Sequence, residues 1–355
     1  MLIFLQHLSA RLGIVTGRSL AANVRARFPR PLVWLFGLTI VLACAATELA
    51  GFFGAALGFS ILLHIPVWIG APLTLAVVVA LVIGQQYHRL ERVILVFLAV
   101  IGCCYVIELF LVHPDWGSAT PSWVVPHLSG GSIYVAMGIL GAIVMPHNLY
   151  LHSDIIQSRE WDVPGVERHR LMRFELADTT LAMGMGWLIN SAMIIVAAAV
   201  FWREGVEVTS IAQASETLRP LVGPLAQFLF GLALLAAGLA SSITSSMATA
   251  NVVTGYLGRP EDTHSRLYRA SLVLIAVPAM AIIASGLDPY RVLILSQVVL
   301  SVQLPLTIVP LLWLSRRRTV MSDERTGSAM TVVGALIAAV VIGLNVFLLY
   351  QTVRG

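Results

Sequence analysis

Charge is the scarcest feature of this chain. Only 11% of its 355 residues are Asp, Glu, Lys or Arg, and lysine is missing altogether, all 22 basic residues being arginine. Soluble domains carry about a quarter of their residues as charges, so a soluble fold is excluded. Cysteine is scarce too: Cys44, Cys103 and Cys104 all lie in apolar runs, two of them adjacent, which argues against a disulfide framework and for core packing. There is no Walker loop, no dinucleotide fingerprint after a strand, no His-Glu-x-x-His, no nucleophile elbow and no paired acid-base constellation, so the chain reads as no enzyme. Nor does it carry the basic-aromatic pattern of a nucleic-acid binder, a tandem repeat of solenoid length or a separate soluble domain.

What fills the chain instead is apolar. Hydrophobic residues make up 58% of it, with a mean hydropathy of +0.88, the composition of an all-α polytopic membrane protein. Residues 1–15 are apolar but broken by Gln6, His7, Ser9 and Arg11. As a helix they reach about 22 Å, short of the ~30 Å hydrocarbon core, and read as the second half of a span. No basic stretch precedes them and no small-residue cleavage site follows, so a signal peptide is not indicated. Nine full spans follow at about 31–63, 65–83, 90–112, 131–155, 175–201, 225–257, 268–286, 290–314 and 328–352. The segments at 31–63 and 225–257 exceed a bilayer, so tilt or protruding ends are expected. Among the outer loops, Ser210 to Leu218 has the makings of a short surface helix. Alternating the loops places 18 arginines on one side and only Arg203, Arg219, Arg291 and Arg354 on the other. That asymmetry makes the arginine-rich side cytoplasmic.

The stretch that organises the rest runs from Gly138 to Ser153, an apolar helix interrupted at Met145-Pro146-His147. Pro146 has no N–H for the carbonyl of Ala142 and its ring crowds that oxygen. A free carbonyl, a thioether and an imidazole are thereby gathered in one short break. Broken helices at membrane depth are tolerated where they line a buried site or a watery cavity, which makes this a substrate-site candidate. The blander alternative is a proline bend with Met145 as packing.

Elsewhere Glu48 stands as the lone acid of its span, and a proton-handling or ion-pathway role is favoured over a structural carboxylate. Glu108 and Asp178 lie nearer span ends and are expected to be interfacial. His152 and Asp154, at the inner end of the broken helix, are expected to be solvated. Gln297 sits in a second polar, proline-weakened span and has an amide oxygen to offer a cation, although hydrogen bonding between helices explains it as cheaply. The small-residue stretch Gly238 to Ser246 most simply marks close helix packing.

Taken together, Met145-Pro146-His147 within Gly141 to Ser153, Ala10 to Gly17, Ala46 to Ala50 and Ser296 to Pro305 resemble the Nramp family of proton-coupled divalent metal transporters. The resemblance implies a LeuT-like fold: two inverted five-helix repeats around a site at the midplane. Residues 1–112 would be the remainder of the first repeat (a half span plus three spans), 131–316 the second repeat with its broken helix at 142–148, and 328–352 an additional C-terminal helix. It assigns Met145, Ala142 and Gln297 to the metal, and His147, Glu48 and Arg159 to proton movement. A thioether favours Mn²⁺ or Fe²⁺ over the harder Mg²⁺ or Ca²⁺. No cofactor is called for; metal ions and protons are the cargo, and the cytoplasmic membrane of a bacterium is the expected location. Set against the family's plan, the sequence begins midway through the second helix, so a truncated chain is expected that lacks the first helix and its Asp-Pro-Gly-Asn break. Gly51 replaces a second acid found in many relatives, and the stretch around Ser241 to Ser246 departs from the manganese-transporter pattern. The expectation is proton-coupled Mn²⁺/Fe²⁺ import. A non-transporting or impaired relative serving as a sensor or partner subunit, and a carrier for Mg²⁺, stay open.

Overall fold

In the computed structural model the residues described are 1–83, 87–117, 139–158, 165–202, 205, 208, 210–259 and 264–354. Among them every regular element is helical: α1 Leu2–Thr16, α2 Leu20–Arg27, α3 Arg30–Leu63, α4 Val67–Val82, α5 Tyr87–Val112, α6 Pro146–Ile155, α7 Gly165–Ala197, α8 Ile211–Val222, α9 Pro224–Leu257, α10 Arg266–Ala284, α11 Pro289–Arg316 and α12 Ser328–Arg354. Seven of these are long and apolar enough to cross a membrane, while α1 and α4 are shorter apolar helices. The chain is an integral membrane protein. Large apolar side chains point outward along these helices, among them Trp34, Leu38, Phe110, Leu181 and Trp187, as lipid rather than water demands.

Apolar run length placed most helix ends to within a few residues. The exception is α7, which starts at Gly165 rather than 175. Its first turns are the charged stretch Val166 to Arg173, good helix formers that a hydropathy criterion does not register. The surface helix expected near Ser210 is α8, capped by the Ser210 hydroxyl, which accepts from the Gln213 N–H at 3.1 Å.

The middle of the fold is the crossing of α3 and α9, each 34 residues long and hence about 51 Å, well beyond the hydrocarbon thickness. Glycines face each other across it. A Cβ on Gly238 would overlap the Ala55 N–H and lie 2.7 Å from the Gly51 carbonyl, and one on Gly58 would lie 2.7 Å from the Leu235 backbone. Small residues let the two backbones touch, which is how helices gain packing contacts where lipid supplies no hydrophobic drive. One apolar cluster then joins α1, α2, α3, α6 and α11 around Leu8, Leu12, Ile40, Leu149, Leu300 and Leu304. A second joins α3, α4, α9 and α10 around Phe52, Phe53, Ile243 and Leu272. α6 lies between them, contributing to both.

Candidate metal and proton site

The span that carries Pro146 is helical over 139–143, leaves the helix at Val144 and Met145, and resumes as α6 with Pro146 in its first turn. Met145 takes an extended backbone, φ −68° and ψ 116°. The Val144 N–H still reaches the Leu140 carbonyl at 2.9 Å, and the Asn148 N–H closes onto the Met145 carbonyl at 3.1 Å. The Ala142 carbonyl is the one Pro146 cannot serve, and among the described residues no backbone N–H beyond the 139–143 helix replaces it. Met145 is half-buried, and its thioether accepts from the Asn148 side-chain amide at 3.7 Å.

α11 meets this segment without a gap. A Cβ at Gly141 would overlap the backbone carbonyl of Gln297 and stand 3.0 Å from the Ser301 N–H, so glycine is what lets the two backbones touch. The contact sets Gln297 against the residues that carry Ala142 and Met145. Its amide N–H donates to the Ser296 hydroxyl at 3.1 Å, and its buried oxygen has no partner among the described residues. A buried carbonyl-type oxygen left unpaired is costly, which makes it an acceptor waiting for a cation or a donor. A carbonyl freed by proline, an orphaned amide oxygen and a sulfur are thus carried by the two segments whose backbones touch at Gly141. Among the described residues no group of three or more His, Cys, Asp or Glu is placed to hold a metal, so this mixed neutral set is the candidate.

His147, the next residue, is fully buried and neither ring nitrogen has a partner among the described residues. Glu48 is also fully buried. Its carboxylate lies at the α3–α9 crossing and accepts from the hydroxyls of Ser245 and Ser246, the latter at 2.8 Å. The stretch read as packing thus has two jobs: Gly238 closes the crossing and the serines about two turns later cradle the acid. Gly51, where many relatives were expected to hold a second acid, abuts Ser242 and the Gly238 carbonyl, with no room for a side chain. Arg159 lies outside the described residues.

Several acids are not where their position in the sequence suggested. Glu108 is buried with both oxygens unpaired among the described residues, not interfacial, because α7 and α9 pack over that end of α5. Asp178 is exposed, as expected. Asp154 is not solvated, being buried and accepting from the Asn251 amide; His152 is half-buried, 2.7 Å from the Gln6 side-chain oxygen. Sequence reading missed Glu175 altogether. It is buried at the inner end of α7, its carboxylate 3.0 Å from the His7 ring and 2.8 Å from the Thr179 hydroxyl that donates to it, with His152 at 3.7 Å. This cluster ties α1, α6 and α7 together below the break.

With the junction of broken helix and amide-bearing helix in view, the chain can be set beside known proteins. It matches the family described as natural resistance-associated macrophage protein-like, Nramp, over residues 1–351. The chain belongs to the Nramp family. It is similar to the divalent metal cation transporter MntH of Caldanaerobacter subterraneus subsp. tengcongensis, at 39% identity over 99% of this chain and 83% of that one. MntH of Deinococcus radiodurans is 41% identical over 100% of this chain and 81% of that one. A crystal structure of the Eremococcus coleocola manganese transporter, in complex with an aromatic bis-isothiourea substituted compound, superposes with a TM-score of 0.85 at 28% identity, covering 98% of this chain and 77% of that chain. This Nramp protein accordingly has the LeuT-like fold and is a transporter rather than an enzyme.

Proposed function

We propose that this Nramp protein imports Mn²⁺ or Fe²⁺ across the cytoplasmic membrane in company with protons, by alternating access. Relatives named as divalent metal cation transporters and the fold of a manganese transporter support metal transport in general. The observation that carries the site is the contact of Gly141 with the Gln297 backbone, which brings the segment holding Ala142 and Met145 to the residue whose side-chain oxygen is unpaired among the described residues. The two oxygens suit any divalent ion, and the sulfur adds affinity only for the softer transition metals. His147 and Glu48 are the proposed proton carriers, being buried and titratable, with Arg159 at the inner end of the path. Residues 1–112 and 131–316 are proposed as the inverted repeats that rock about the site, with 328–352 outside them; 131–138, which would open the second repeat, are among the residues that lie outside those described.

The test is Mn²⁺ uptake into proteoliposomes with and without an inward proton gradient. Uptake should rise as external pH falls, resist excess Mg²⁺, and drop at least tenfold in Met145→Ala, the scale on which lost metal contacts register. Uptake that Met145→Ala leaves unchanged would remove the metal site from this break. Uptake indifferent to the gradient would remove the proton coupling, and equal competition by Mg²⁺ would favour a hard-ion carrier.

A further inference from the structure

A groove of about 1000 Å³ opens on the arginine-rich side of the fold, between the inner ends of α3 and α9 and roofed by α2. Its mouth holds Arg18, Arg25, Arg30 and Arg259. All four are exposed, and none makes an ion pair with a described residue. Each stands at a helix end: Arg18 just before α2, Arg25 in its last turn, Arg30 opening α3 and Arg259 just past α9. Behind them the walls turn apolar, with Val33, Leu38, Val41, Val253 and Leu257. Trp34 stands 68% exposed at the rim, the amphipathic side chain typical of headgroup depth.

The groove is built rather than incidental. Gly258 ends α9 with φ 65°, and the Arg25 guanidinium occupies the space where a Cβ at 258 would stand. A glycine there lets the arginine lie over the helix end, where it lines the groove. At the floor the Tyr256 ring packs against Gly37, 3.3 Å from where a Cβ would be. Its hydroxyl pairs with that of Tyr150 in α6 at 2.9 Å, so the groove backs onto the helix that follows the break.

We infer that this groove binds an anionic phospholipid of the cytoplasmic leaflet. Four cations at headgroup level ask for phosphate, and the apolar walls below ask for alkyl chains. A nucleic acid or an acidic peptide satisfies only the mouth, whereas a neutral lipid satisfies only the walls. Basic pockets between membrane helices on the cytoplasmic side are where anionic headgroups are held. Each arginine facing the headgroup contributes about fivefold to affinity, so replacing two should weaken retention by roughly 25-fold.

The experiment is native mass spectrometry of the full chain, titrated in detergent with phosphatidylglycerol, phosphatidylcholine or inorganic phosphate. One tightly retained phosphatidylglycerol per chain is expected, lost in R25Q/R259Q and in Val253→Trp, which fills the wall while leaving every arginine in place. R316Q/R318Q, with the same charge change elsewhere on this side, should keep it. Thermal unfolding of each variant separates loss of lipid from loss of fold; should R25Q/R259Q not fold, Val253→Trp carries the test alone. Equal retention of phosphatidylcholine, displacement by inorganic phosphate, or an equal loss in R316Q/R318Q would overturn the site. The readout is binding, so it stands whether or not metal transport does.

Discussion

Replacing Gly141 by alanine adds one methyl group, and the structure says where it goes. The new Cβ overlaps the Gln297 carbonyl and sits 3.0 Å from the Ser301 N–H, both backbone atoms of α11 that cannot rotate aside. Restoring ordinary contact distance requires α11 to retreat from the break by roughly 1 Å. Metal-ligand lengths tolerate about 0.2 Å, so the Gln297 oxygen would leave the proposed coordination sphere although Gln297 itself is untouched. Overpacking costs about 1–3 kcal/mol, and displaced support for a ligand lowers metal affinity about 10- to 100-fold. The assay pairs Mn²⁺ uptake and Mn²⁺ affinity in proteoliposomes with thermal unfolding in detergent. Gly141→Ala should lower affinity within that range and destabilise modestly. Added to Gln297→Ala it should cost little more, because the ligand is already gone. Wild-type affinity in Gly141→Ala, or full additivity with Gln297→Ala, would refute the idea that this contact positions the amide.

Three other expectations follow from the same reading. Glu48→Gln keeps the size of the side chain and its serine cradle, so expression should hold while the pH dependence of uptake flattens; a retained pH profile would move proton handling elsewhere. Glu175→Gln weakens the bond from His7 and should lower stability by about 1–3 kcal/mol and alter turnover, since α1, α6 and α7 meet there; an unchanged unfolding temperature would make the cluster incidental. Gly238→Ala forces α3 and α9 apart, backbone against backbone, and should be the most damaging single methyl of the set, about 3 kcal/mol or more. A well-folded Gly238→Ala protein would contradict the crossing.

How much of this was legible in the residues follows from which interactions are local. Spans announce themselves by apolar length, and the break announces itself because Pro146 lacks a donor wherever it sits in space. Met145, Ala142 and His147 came with it as chain neighbours. Gln297 was legible only as a polar residue in an apolar helix; its orphaned oxygen and its contact through Gly141 need the fold. Glu175 escaped for the same reason: its partner His7 is 168 residues away, and an acid at a span edge looks like any solvated acid. Glu108 was misjudged because nearness to a span end says nothing of what packs over it. The serines of α9 were read for their size alone, and only their meeting with Glu48 reveals their hydroxyls.

The glycine-lined crossing of α3 and α9 also bears on what can move. Two long helices whose backbones interlock at Gly51, Gly58 and Gly238 have no slack for sliding, because any shift drives a carbonyl or an N–H into its opposite. They act as a stator. By contrast, α6 is joined to the 139–143 helix through Val144 and Met145, which are not helical, and lacks one helical bond at Pro146, which makes it the natural rotor. Glu48 rides on the stator and Met145 on the hinge, so under the proposed function a rearrangement that releases metal from Met145 changes the spacing between them.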